Sequence, residues 1–169
     1  MAIVTLAGHV SRALEFYKRT DIFYGIGGLQ SWELEDVPET PNIEDTIDDI
    51  AGYKRVETMF MVYPDPENGT LKYRDSRWSY CTPEEAYEKG ARWVYLMSYI
   101  AYTELPTNIS YRKIGIYTGL TLKEDVPNGT YAVLPEMVEK PGILEVIDYR
   151  KPIYREADTR EQLVVILEF

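Results

Sequence analysis

The chain has 169 residues, one cysteine (Cys81) and a formal net charge of −10. That length suits one domain with a core that needs no disulfide staple, and a lone cysteine allows none within the chain. The acidic balance argues against nucleic-acid binding, which needs clustered Lys and Arg, and no run approaches the roughly 20 apolar residues of a membrane span.

The opening residues are too short and too interrupted an apolar stretch for a signal peptide. Leu6, Val10, Ala13, Leu14 and Tyr17 then recur at helical spacing, so an amphipathic helix of about three turns is expected. His9 lies near its start, without a second histidine to make a ligand pair. Ile22, Phe23, Tyr24 and Ile26 form a run with the content of a buried strand, ending in Gly25, Gly27 and Gly28, which permit positive φ or close backbone approach. The third glycine of a dinucleotide fingerprint is missing at the required offset. Trp32 follows as a large anchor. Pro38 and Pro41 then stiffen the chain, so we expect a clamped loop lying on a surface.

From Glu33 to Asp49 there are eight acids and no base. Such a stretch is a solvated face or a dock for a basic partner. Ile43, Ile47 and Ile50 predict a short helix, and the Asp/Glu spacing matches no EF-hand loop. Tyr53–Tyr63 alternates as one strand, Pro64–Thr70 as a hairpin turn, and Leu71–Trp78 as the returning strand. Thr82-Pro-Glu-Glu85 is a capping box opening a short helix that Gly90 ends.

Arg92–Tyr102 is the clearest strand. Val94, Leu96, Ser98 and Ile100 form an aliphatic face; Trp93, Tyr95, Met97 and Tyr99 form an aromatic one. Both faces need covering, one of them by a second layer or another chain. Ile109–Tyr117 and Ile143–Tyr149 are further strands, and Pro127–Thr130 is a turn. Gln162–Phe169 is apolar on both parities and is expected to be a central strand. The fold class is therefore mainly β with a few short helices, as a mostly antiparallel, sandwich-like sheet carrying an N-terminal helix. A single domain is expected, with helix and clamped loop over about 1–52 and a β core over about 53–169.

Catalytic chemistry is sparse. One His and one Cys exclude an all-His/Cys zinc site, and no nucleophile elbow or P-loop occurs. No cofactor, metal or catalytic residue is assigned. Fifteen tyrosines favour β structure and protein interfaces. The basic cluster Arg150, Lys151 and Arg155 and the acidic stretch suit neighbour-to-neighbour docking, with an intrachain ion pair the equally weighted alternative.

Two motifs carry a family resemblance. One is Phe23-Tyr-Gly-Ile-Gly27 with Trp32, Pro38, Pro41 and Gly52-Tyr-Lys-Arg-Val56; the other is Gly142–Arg155 with Gln162–Phe169. In order, at the two ends, they resemble the opening and ending of T4-like baseplate wedge proteins of contractile-tailed bacteriophages. Tyr149 departs from the family pattern, which often has Asn there. The resemblance implies a structural tail subunit, not an enzyme, made in the host cytoplasm and located in the virion. Its partners would be other baseplate or neck subunits in a homo- or hetero-oligomer. Gly25, Gly27, Trp32, Pro38, Asp148, Arg150, Pro152 and Arg155 match the pattern and would hold the loop and the contacts. With the aromatic strand, the expected interface set is Trp32, Pro38, Trp93, Tyr95, Tyr99, Arg150 and Arg155. A head–tail neck protein and a carbohydrate-binding β-sandwich stacking sugars on Tyr and Trp are the alternatives.

Overall fold

The computed structural model describes residues 1–31 and 47–169. In chain order it contains α1 (Leu6–Tyr17), β1 (Ile22–Gly27), β2 (Gly52–Arg55), β3 (Thr58–Pro64), β4 (Leu71–Tyr73) and β5 (Ser76–Cys81). There follow α2 (Ala86–Lys89), β6 (Trp93–Ile100), β7 (Ile109–Thr118), β8 (Thr121–Leu122) and β9 (Ala132–Val133). The last elements are β10 (Val138–Lys140), β11 (Ile143–Arg155) and β12 (Glu161–Glu168). The described fold is mainly β, with antiparallel pairing and two short helices, as the alternation predicts.

The chain forms two compact units, each drawn from separate stretches. The first comprises Met1–Thr20, Glu57–Met97 and Val164–Phe169; the second comprises Asp21–Val56 and Ser98–Leu163.

The first unit carries the strand order β12-β6-β3-β5-β4, with Ser98–Ile100 of β6 and Glu161–Leu163 of β12 counted in the second unit. The Thr5 hydroxyl accepts from the Gly8 N–H and caps α1, which lies against β3. Its buried stripe is Val10, Ala13 and Phe16. Leu6 is exposed, because the helix is turned to bring Phe16 onto Phe169, with ring centroids 5.0 Å apart. The Thr82/Glu85 capping box forms, with Thr82 N–H donating to Glu85 Oε2 at 2.9 Å and Glu85 N–H to Thr82 Oγ1 at 3.4 Å. Gly90 ends α2 at φ 60°, in the left-handed region that glycine occupies freely.

The structure corrects three strand readings. Tyr53–Tyr63 is two strands: β2 pairs with β1, β3 pairs with β5 and β6, and the chain passes between units at Val56–Glu57. The strand returning along β3 is β5. Leu71–Tyr73 and Ser76–Trp78 instead form a hairpin around Arg74, whose φ is 52°. Finally, among the described residues β12 is an edge strand. Leu163, Val165 and Leu167 are buried on one parity, and Val164 and Ile166 remain half-buried on the other.

In the second unit the order is β11-β7-β1-β2-β9, with β8 and β10 paired separately. All six residues of β1 are buried between β2 and β7. Gly25 lies opposite Gly115, and a Cβ on Gly25 would stand 2.6 Å from Tyr117 Cε2. That bare backbone makes room for Tyr117, which meets Tyr53 edge to face at 5.3 Å in a core with Phe23, Ile47, Leu120 and Val133. Strand β11 runs past the expected end at Tyr149, through Pro152 to Arg155. It does so as an edge strand whose register breaks between Tyr149 and Ile153, where a residue without an N–H is tolerated. The first half of the helix expected over Ile43–Ile50 lies outside the described residues, and Ile47–Ile50 forms no helix.

Candidate docking surface

Alternation divides the sheet of the first unit into two unlike faces. Met61, Val94, Leu96, Val165 and Leu167 share the buried parity. On the other parity, Phe60 stands opposite Tyr95, and Val62 stands opposite both Tyr80 and Trp93. Rings crowd this face. Phe60 meets Tyr80 edge to face at 5.0 Å and Tyr95 at 6.4 Å, and Trp78 meets Trp93 at 5.6 Å. Val62 is fully buried among them, whereas Phe60 is 42 % and Tyr80 44 % exposed. Two large rings thus remain open to solvent on an aromatic cluster that already shields its own centre. At the same end as the tryptophans, the Arg92 guanidinium lies 4.8 Å from the Trp93 ring centroid and pairs with Glu168 at 2.7 Å.

In the second unit a group of charges is held inward. Arg155 is 1 % exposed. Its guanidinium donates to the carbonyls of Pro106 (3.1 Å), Ala101 (2.7 Å) and Glu104 (2.6 Å), and to Glu161 Oε2 (3.1 Å). Tyr111 Oη donates to the other Glu161 oxygen at 3.1 Å. Burial, and then the Glu161 charge, push the Tyr111 hydroxyl pKa far above its usual value, so it stays a donor. Lys54, 3 % exposed, donates to both oxygens of Glu104 at 2.9 and 2.8 Å. These bonds tie residues 101–106 to β2 and β11.

Burial alone would raise the Glu104 carboxyl. The Lys54 bond, the Ala101 N–H and the Arg155 charge outweigh it and hold the group below its ordinary 4.5. A depressed carboxylate contributes stability above its unfolded pKa and loses it as pH falls through the folded one. Unfolding free energy should therefore decline as pH drops below about 4.5. Glu104→Gln should be about 1–3 kcal/mol less stable at neutral pH, with a shallower acid limb that converges on the parent. Denaturant titrations from about pH 6 to about pH 3 measure both.

A family model described as "baseplate wedge 3 tail fiber network component" matches residues 1–169, the whole chain. The chain belongs to that family. It is a structural subunit of the bacteriophage baseplate wedge, located in the virion tail, and the family points to contacts with other baseplate and tail subunits. No curated protein matches it.

Within this wedge component the expected interface residues are scattered. Trp32 and Pro38 lie outside the described residues. Trp93 and Tyr95 stand on the aromatic face of the first unit, Trp93 half-buried and Tyr95 packed against the Phe60 and Tyr80 rings. Tyr99 belongs to the second unit. There Arg160 lies 3.9 Å over its ring and Gln162 donates to its hydroxyl at 3.2 Å. Arg150 is half-buried and pairs with Asp148 at 2.8 Å, two residues away on its own strand. Arg155 is enclosed by its own chain, so it supports the loop at 101–106 and presents no charge outward. Sequence reasoning missed Phe60, Trp78 and Tyr80. The available signal was parity: Phe60 alternates with Val62, and Trp78 with Tyr80, on strands flanking one another. Lys54–Glu104 had no local signal, since fifty residues separate the partners.

Proposed function

We propose that the chain works in the wedge by contact alone, offering the ring face of β3, β5 and β6 to a neighbouring tail subunit. The observation that carries this reading is the pair of open rings, Phe60 and Tyr80, on a clustered aromatic face opposite the face that holds the buried core residues. Aromatic anchors at a patch centre dominate binding energy in protein interfaces. The carboxylates of Glu104, Glu161 and Asp148 are engaged by Lys54, Arg155 and Arg150, and burial with the nearby Glu85 charge pushes the Cys81 thiol up, away from a nucleophile. These features support a non-catalytic subunit; the reading extends to one that forms a homo- or hetero-oligomer, recognises neither nucleic acid nor membrane, and is made in the host cytoplasm. Among the described residues no helix is long and apolar enough to cross a membrane. The edge-to-face meeting of Trp78 and Trp93 at 68° offers no flat sugar platform, which weighs against the carbohydrate-binding alternative.

Omission of the chain during infection tests the role. The expected result is normal heads with arrested baseplates. Complete tails that fail to join heads would show a neck function instead.

A further inference from the structure

The tripeptide Asn-Gly-Thr occurs at 68–70 and again at 128–130, each time in a turn. Asparagine before glycine is a reactive pair, because a residue without a side chain leaves its nitrogen free to approach the preceding amide carbon. The two copies are held differently. At the first, Gly69 is buried and its N–H donates to the Asp65 carbonyl at 2.9 Å. The Asp65 carboxylate accepts from the Asn68 N–H at 3.0 Å and from the Ser79 hydroxyl at 2.8 Å. A Cβ on Gly69 would stand 2.6 Å from the Trp78 backbone nitrogen, so this glycine is wedged against β5. At the second, Asn128 and Gly129 are exposed, and a Cβ on Gly129 would meet nothing within 4 Å. Thr130 closes that turn, its N–H and hydroxyl donating to the Pro127 carbonyl at 3.0 and 2.7 Å. Neither the Asn128 side-chain amide nor the Gly129 N–H has a hydrogen-bond partner among the described residues.

We propose that Asn128 is a site of spontaneous deamidation in the folded chain, and that the turn built on Asp65 spares Asn68. The Gly129 nitrogen gives up its proton and bonds to Cγ of Asn128. The Cγ–Nδ2 bond breaks, the proton goes to the departing nitrogen, and ammonia leaves behind a succinimide ring. Water then opens the ring at either carbonyl. Opening at Cγ gives aspartate, and opening at the α-carbonyl gives isoaspartate; both add a negative charge to the turn. The α-carbonyl of Asn128 is the group to which Arg55 Nη2 donates, at 3.1 Å. Isoaspartate therefore puts a carboxylate where Arg55 holds a neutral oxygen, and a charge-assisted bond replaces an ordinary one.

The test holds the full chain at mildly alkaline pH and follows both asparagines by peptide mapping and mass spectrometry. Asn128 should convert about tenfold or more faster than Asn68, a margin set by the hydrogen bonds that must break before Gly69 can move. In denaturant, where neither turn is held, the two rates should come together. Gly129→Ala should remove most of the conversion at Asn128 and leave the denaturation midpoint unchanged, because the added methyl hinders the nitrogen yet enters open space. Equal rates at the two asparagines of the folded chain overturn the proposal. So does an Asn128 that persists in the folded chain while the unfolded chain converts, or a conversion indifferent to Gly129→Ala. None of these results depends on Phe60 or Tyr80, so the docking reading of the ring face stands or falls separately.

Discussion

Replacing Arg155 with Met should cost about 3–5 kcal/mol of folding stability, read as a fall in the denaturation midpoint. The guanidinium has no route to solvent. Its loss would leave the Glu161 carboxylate short of its cation and remove the donor shared by three carbonyls of the 101–106 loop. That loop contains Leu105 at φ 53°, a conformation a branched side chain adopts only when its surroundings impose it. The Leu105 side chain packs over Gly52, and the Asn108 N–H donates to the Arg155 carbonyl at 2.7 Å, so the loop and the start of β2 should loosen together. Lysine cannot substitute, because a single ammonium does not reproduce a planar fork bonded on three nitrogens. Adding Glu161→Met to Arg155→Met should recover part of the loss, since removing both charges eliminates the stranded carboxylate but not the unpaired carbonyls. Against a typical total of about 5–15 kcal/mol, the single substitution should leave the second unit marginal.

The second large effect should be on assembly. Phe60→Ser with Tyr80→Ser should weaken association with the baseplate by about 2–4 kcal/mol, roughly 30- to 1,000-fold, while costing the isolated chain much less. The two rings are already about two-fifths in water, so folding buries only part of each. Val62 and Tyr95, beneath and between them, keep the face apolar in the variant. Co-sedimentation with tail intermediates measures the association, and the denaturation midpoint separates it from unfolding. As a control, Tyr99→Ser should leave association unchanged, because Arg160 and Gln162 of the same unit already cover that ring.

Local chemistry was the legible part of this chain. The capping box at Thr82, the buried run ending in Gly27, and the two-faced strand at Trp93 are each specified by residues within a few positions of one another, and each forms. Sheet order was not legible. Gln162–Phe169 has the composition of a central strand, yet lies at an edge, since side chains on both parities can be half-covered without a strand on both sides. The Tyr53–Tyr63 alternation continues unbroken across Val56–Glu57, so nothing in its period marks where the chain leaves one unit for the other. The basic cluster misled for a related reason. Arg150 and Arg155 look alike in sequence, but one pairs two residues away on its own strand while the other enters a pocket of carbonyls contributed from 49 to 54 residues earlier. Family membership, in contrast, was legible from the paired motifs at the two ends, and the whole-chain match supports it.

The open rings of the first unit should become buried when the chain enters the wedge. Hydroxyl-radical footprinting of the free chain and of the chain in assembled baseplates reads this directly, residue by residue. Phe60 and Tyr80 should label readily in the free chain and be protected in the baseplate, with Tyr99 little changed. Equal labelling of Phe60 and Tyr80 in both states would contradict it.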